Sequence, residues 1–303
     1  MANFQITPIA KGLFGGKVSL PSSKSQTLRA LAFALLAQGT STIENPLDSP
    51  DTDAMIEALR NFGAKVRREN NTLWVEGTAG KLRTPDRVID CQNSGLVLRL
   101  IGAISSLSEG WTLLSGDDSI RNSRPAGPLL KGLSQLGATA FSIRNNGKAP
   151  IVIQGPLQGG KARVEGQDSQ PISGLLIASA FAPKPTTLEV IDPGEKPWVD
   201  LTLQWLNRLG LSYERNGYER YSFKGQAQIK NFTYKVPGDL STLAFPLVAA
   251  LIEQSSLEIE NVDLSDAQGD KLLLTFLKSA GAKLSYCREN KTLKIDPSPP
   301  LKG

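Results

Sequence analysis

A unit of about 70 residues recurs along this chain, and that periodicity restricts the fold more than any other feature. Arg68-Glu69-Asn70-Asn71-Thr72-Leu73 returns as Arg288-Glu289-Asn290-Lys291-Thr292-Leu293, and Ile43-Glu44-Asn45 returns as Ile259-Glu260-Asn261. Four glycines, Gly63, Gly137, Gly210 and Gly281, close apolar periodic stretches at intervals of 71 to 74 residues. Four units therefore account for nearly all of the 303 residues.

Each unit reads in one order. A polar turn leads into an apolar helix, then a strand, a second helix ending at the repeat glycine, and a hairpin. In the first unit Leu28, Leu31, Ala32 and Leu35 have helical spacing, and 40–44 reads as a strand. Met55, Leu59 and Phe62 mark the second helix, and 65–68 with 72–75 form the hairpin around Asn70-Asn71. The corresponding first helices of the later units are expected at 94–105, 172–182 and 240–252. The fold class is α/β with mixed sheets, built by repetition.

Composition removes several kinds of chemistry. The chain has no His, so triads, metal sites and proton shuttles that rest on histidine are excluded. Its two cysteines, Cys91 and Cys287, are too few for a disulfide framework and too far apart for a CxxC site. No basic-then-apolar leader opens the sequence, and its longest apolar runs fall short of the ~20 residues a membrane span needs. A cytoplasmic location without membrane attachment is expected. The 34 Lys+Arg against 29 Asp+Glu give a net charge of +5. These cations are scattered, and Lys65-Val66-Arg67-Arg68 alternates like a solvated strand face. Small anionic ligands therefore suit the chain better than nucleic acid.

The helix entrances carry the chemistry. They are Ser22-Ser23-Lys24-Ser25, Asn93-Ser94-Gly95, Asp168-Ser169-Gln170-Pro171 and Gly238-Asp239-Leu240-Ser241. A helix N-terminus offers unpaired N–H groups and partial positive charge, which suit phosphate or carboxylate. Singly, each reads more simply as a cap, with Pro171 at the first helical position. Four at equivalent places in a repeat can converge on one cleft. Lys24 among three serines, with Arg29 a turn later, concentrates cations and hydroxyls at one start. Arg99 is open between a site cation and a surface charge, and Arg124 stands before Pro125 at another helix start (126–136), placed to grip a carboxylate.

Leu20-Pro21-Ser22-Ser23-Lys24-Ser25-Gln26-Thr27-Leu28-Arg29-Ala30 resembles the opening signature of the 5-enolpyruvylshikimate-3-phosphate (EPSP) synthase family. Asn93-Ser94-Gly95, Arg124-Pro125, Gly166-Gln167-Asp168-Ser169-Gln170, Lys196-Pro197-Trp198 and Pro237-Gly238-Asp239-Leu240-Ser241 agree in order and spacing, with a chlamydia-like flavour. The resemblance implies an inside-out α/β barrel of repeated βαβαββ units, four of the family's six being present. It implies transfer of enolpyruvyl from phosphoenolpyruvate to the 5-hydroxyl of shikimate 3-phosphate, with no cofactor and a monomeric enzyme. Lys24 would lie between both substrates as the catalytic residue. Ser25, Arg29, Asp168, Ser169 and Gln170 would hold shikimate 3-phosphate, while Gly95, Arg124 and Gln170 would line the phosphoenolpyruvate site with Lys24.

Departures from that pattern are also legible. Glu195 stands where many members have a Ser on the phosphate, and would oppose it unless the side chain turns away. Trp198 replaces the usual Tyr, and Leu96 a commoner Thr or Ala. The resemblance implies a complete three-repeat domain at 22–236 and one repeat of three at 1–21 plus 237–303. On that reading the chain stops before two repeats bearing the proton-transfer groups and is inactive alone. The alternatives are a non-catalytic phospholigand-binding fragment and a UDP-N-acetylglucosamine enolpyruvyl transferase. The latter usually has a Cys before the Arg matching Arg124; 115–123 has none, although Asp117 and Asp118 leave it open.

Overall fold

One strand pattern, repeated four times, organises the computed structural model, which describes residues 14–299 and 301. In each four-stranded sheet an edge strand runs parallel to its neighbour, and the other two pairs are antiparallel. The orders are 233–235, 40–44, 72–76, 65–69; then 89–90, 111–115, 151–154, 139–142; then 160–165, 186–191, 220–223, 213–216. The fourth is 16–19, 257–260, 292–296, 283–287. The chain divides into two units: Lys24–Val236 carries the first three sheets, and Met1–Ser23 with Pro237–Gly303 carries the fourth. Each unit has its own apolar core.

The larger unit holds helices α1 (Lys24–Leu36), α2 (Pro50–Asn61), α3 (Gly95–Ser105), α4 (Asp118–Ser123), α5 (Gly127–Gln135), α6 (Ser169–Phe181) and α7 (Lys196–Arg208). α1 is buried from Gln26 to Leu36, α3 from Leu96 to Ser105, and nearly all of α6 is buried. Helices apolar all round belong in an interior, not on a surface. The strands instead alternate: in Thr72–Glu76, Leu73 and Val75 are buried while their neighbours face outward. Small residues let the interior helices approach closely. A Cβ on Gly174 of α6 would lie 2.7 Å from the Arg99 carbonyl and 2.9 Å from the Ala103 Cβ of α3. That approach puts the first turns of α3 and α6 side by side.

The strand 40–44 occurs as expected, and the hairpin strands extend one residue further, to Glu69 and Glu76. Gly63, Gly137, Gly210 and Gly281 all have positive φ, of +104, +92, +69 and +102°. Only glycine takes that conformation at little cost, so the repeat spacing marks real helix exits. The Lys65–Glu69 strand is an exposed face: Lys65 Nζ bonds Glu76, Arg68 pairs with Asp48 and Asp53, and Arg67 stacks on Trp74. Two expectations are corrected. Pro171 is the third residue of α6, because the helix already begins at Ser169. The helix expected over 240–252 begins only at Ala244, as α8 (Ala244–Ile252). Asp239 Oδ1 accepts from Ser241 N and Thr242 N, and Gln268 Oε1 takes Leu240 N, so those amides serve a turn. Pro246, which lacks an N–H, then falls in the first helical turn, where none is needed.

The smaller unit exposes apolar surface on α8 and on α9 (Leu272–Ser279). Phe245 is 77% and Ile252 72% exposed, with Val248 on the same face of α8; Leu272 and Phe276 are exposed one turn apart on α9. Stripes of this kind are association sites or liabilities. The 303-residue chain is therefore expected to self-associate at concentrations of roughly tens of micromolar, despite the monomer the resemblance implies. The double substitution Phe245→Lys with Ile252→Lys should suppress this in sedimentation velocity while changing stability by no more than about 0.5 kcal/mol. Unchanged sedimentation would show the stripes to be inert. Cys91 is buried, and burial pushes its thiol far above the usual range; Cys287 is exposed. No helix among the described residues is long and apolar enough to cross a membrane.

Candidate functional site

Arg99 is the centre around which the site assembles. Its position on a helix buried from Leu96 to Ser105 leaves it 3% exposed, so of the two readings open for it the surface charge falls away. NH1 donates to the Gly95 carbonyl at 3.0 Å and to Gln170 Oε1 at 3.3 Å. NH2 donates to the Pro125 carbonyl at 2.6 Å and lies 3.3 Å from Asp168 Oδ2. One guanidinium thus joins the start of α3, the segment bearing Arg124 and the start of α6. Its Nε is buried with no hydrogen-bond partner. Burial pulls this arginine below its usual pKa and the Arg124 charge acts the same way, while Asp168 and Glu195 act against them.

Gly95 shows how tight the meeting is. A Cβ there would lie 2.7 Å from Arg99 NH1, 3.4 Å from Gln170 Oε1 and 3.8 Å from Arg124 Cδ. Ser94 caps α3 through Val97 N, as its residue type suggests. Asn93 beside it donates to Asp117 Oδ2, and Asp117 Oδ1 caps α4 at Ile120 N. These bonds hold the Asp117 carboxyl below its usual range, the Ile120 N–H most of all. They also tie the α3 entrance to the loop that ends at Arg124. Arg124 is in extended backbone after α4, and its side chain is exposed. The Gly147 carbonyl receives Ala126 N, which fixes the segment from the other side.

At the start of α6, Asp168 Oδ1 accepts from Gln170 N at 2.9 Å. Ser169 is almost wholly buried, and both its N–H and its hydroxyl donate to Glu195 Oε2, at 3.1 and 2.7 Å. Glu195 is the N-cap residue of α7, yet its side chain caps α6 instead of its own helix. It turns toward the helix entrance and not away from it.

Lys24 opens α1 with its side chain half exposed, Nζ 3.8 Å from Asp51 Oδ1. Ser25 is half-buried. Arg29 differs from both: it is 1% exposed and faces inward. Its Nε donates to Thr202 Oγ1, NH1 to the Ser25 carbonyl, and NH2 to Ser173 Oγ and the Trp198 carbonyl. These bonds join the second turn of α1 to the second turn of α6 and the first two turns of α7. Gly95, Arg124, Asp168 and Gln170 therefore meet around Arg99, Ser169 is bonded to Glu195, and Lys24 and Ser25 open a helix whose next turn is pinned to α6 and α7. Sequence reasoning missed the centring role of Arg99; its signal was an arginine inside an otherwise apolar helix run. Among the described residues no group of three or more metal-ligating side chains occurs.

Residues 10–303 match the family model for EPSP synthase (3-phosphoshikimate 1-carboxyvinyltransferase). The chain belongs to the EPSP synthase family. It is 40% identical over 287 residues to the 3-phosphoshikimate 1-carboxyvinyltransferase of Acetivibrio thermocellus, covering 95% of this chain and 67% of that protein. To that of Chlamydia caviae it is 39% identical over 301 residues, covering 98% and 66%. Its structure is similar to EPSP synthase from Acinetobacter baumannii, with a TM-score of 0.82 and 25% identity over 96% of this chain and 66% of that one. The chain thus spans about two thirds of the length of these EPSP synthases. Within that frame, Glu195 and Trp198 both fall at the α7 start, beside the entrance of α6.

Proposed function

We propose that this chain supplies the ligand-gripping part of a 3-phosphoshikimate 1-carboxyvinyltransferase. The observation that carries the proposal is the meeting of Gly95, Arg124, Asp168 and Gln170 around the buried Arg99. The two substrates together bear two phosphates and two carboxylates. Helix starts carrying Lys and Arg offer such groups fixed N–H dipoles and cations without reorganisation at the moment of reaction. In this reading Ser25, Arg29, Asp168, Ser169 and Gln170 serve shikimate 3-phosphate, and Gly95, Arg124 and Gln170 serve phosphoenolpyruvate. Lys24 lies between the two, stabilising charge that develops as the 5-hydroxyl adds to the enolpyruvyl carbon and phosphate later leaves. The fold reading that goes with it is four of six βαβαββ repeats in inside-out barrels, with one complete domain and part of another. On that reading the exposed faces of α8 and α9 pack against further repeats that also bring the proton-transfer groups.

The purified 303-residue chain is then expected to bind shikimate 3-phosphate in calorimetric titration and to release no phosphate from the substrate pair. Lys24→Ala should weaken that binding by roughly 10- to 100-fold, the worth of one or two charge-assisted contacts. Unchanged affinity in Lys24→Ala and Ser169→Ala alike would remove the helix entrances from the site. Binding of UDP-N-acetylglucosamine instead would favour the sister activity, but Asp117 is already committed to capping α4 and to Asn93.

A further inference from the structure

We propose that Glu195 is an intramolecular occupant of the anion seat at the start of α6, displaced when a ligand phosphate enters, and that it sets the affinity of this chain for that phosphate. The proposal rests on the reading above for the identity of the ligand, but not for the existence of the seat. The seat is defined by what already fills it. One carboxylate oxygen, Glu195 Oε2, takes both the N–H and the hydroxyl of Ser169, the first residue of the helix. The next N–H, that of Gln170, is taken by Asp168 Oδ1. Bonds to an ionised oxygen from an N–H and a hydroxyl at a helix start are the contacts a phosphate oxygen would make.

A second observation marks the place as an anion site. The Arg99 guanidinium lies behind the α6 start, 3% exposed, bonded to Gln170 and paired with Asp168, and its Nε has no partner. A buried cation so placed offsets the Asp168 carboxylate at the same entrance, so that the helix start keeps its attraction for a further negative charge. Glu195 is suited to act as a removable occupant. It is itself exposed, it belongs to a different helix, and it forms no cap bond to its own helix that leaving would keep. Asp168 is less suited, since its two oxygens are divided between Gln170 N and Arg99.

A phosphate oxygen and Glu195 Oε2 cannot hold the same two donors, and two anions a few ångströms apart repel. The ligand must therefore evict the carboxylate, and its apparent affinity is reduced by the occupancy of the self-bound state. A neutral side chain at position 195 removes that competition. Glu195→Gln keeps the size and an acceptor oxygen; Glu195→Ser removes the reach as well.

Calorimetric titration of the 303-residue chain and of the Glu195→Gln and Glu195→Ser variants with inorganic phosphate, then with shikimate 3-phosphate, tests this. Both variants are expected to bind inorganic phosphate about tenfold more tightly than the unchanged chain. Without phosphate Glu195→Ser should melt lower, having lost a cap on α6, and Glu195→Gln less so, its cap being only uncharged; saturating phosphate should raise the melting temperature of both more than that of the unchanged chain. Equal or weaker phosphate binding by the variants overturns the proposal, as does no measurable phosphate binding by any of the three. If the variants gain phosphate affinity but shikimate 3-phosphate binds no better than phosphate, the Glu195 proposal stands and the functional reading falls. If the unchanged chain binds shikimate 3-phosphate and the variants match it for both ligands, the functional reading stands and Glu195 is a plain cap.

Discussion

Trp205→Ala is expected to lower the stability of the Lys24–Val236 unit by about 4 kcal/mol, the range for removing a large buried aromatic. Trp205 is buried on α7, stacked on Phe33 of α1 with ring centroids 5.6 Å apart. Tyr234 and Phe232 meet it edge-on at 4.6 and 5.3 Å. Those two residues lie in and next to the strand 233–235, which pairs parallel with 40–44 and so joins the unit's last strand to its first helix-to-strand segment. The indole N–H also donates to Gln26 Oε1 at 2.7 Å, in the first turn of α1. Alanine would leave a cavity, strip three aromatic contacts and remove the donor to a buried amide. For a unit of this size the melting transition should fall by roughly 10 °C. Trp205→Phe should recover most of the packing but not the Gln26 bond, leaving a loss of about 1–2 kcal/mol. A shift of only one or two degrees for the alanine variant would mean that the 233–235 strand is anchored independently of this cluster.

How much of this was legible in the sequence depends on the range of the physics involved. The repeat glycines were, because a helix exit with positive φ is a local demand that one residue type meets cheaply. The strand 40–44 and its hairpin partners were, since alternation of apolar and polar residues states which face is buried. The start of α8 was not: the amides of 240–242 are claimed by Asp239 and by Gln268, and Gln268 lies 28 residues away from Leu240. Arg99 was open for the same reason. Helical spacing places it on α3, but only the packing of α6 against α3 decides that no face of α3 reaches water. Glu195 was legible as a departure, and its direction was not, because the choice between its own helix and α6 is made by the approach of two elements. The EPSP synthase family itself was legible from short segments at the helix entrances, where the quoted motifs lie.

Arg29 is where stability and the proposed ligand binding meet most closely, and its substitution should have the second largest effect. Arg29→Ala is expected to cost about 3 kcal/mol in urea denaturation, because it empties a buried volume and strands the acceptors it now serves. Thr202 Oγ1, Ser173 Oγ and the carbonyls of Ser25 and Trp198 all lose a donor at once. Arg29→Met should lose less, about 2 kcal/mol, since an apolar chain of similar length refills the space while the same acceptors stay without a donor. These two variants separate two ways in which Arg29 can serve a ligand. Acting through position, it holds the α1 start to α6 and α7, so that shikimate 3-phosphate affinity should follow stability, falling most in the alanine variant and less in the methionine variant. Acting by direct contact, its guanidinium is needed for itself. Methionine would then keep the fold and still lose tenfold or more in affinity. The inward orientation and 1% exposure of Arg29 favour the first outcome. A methionine variant that is stable and fails to bind would establish the second.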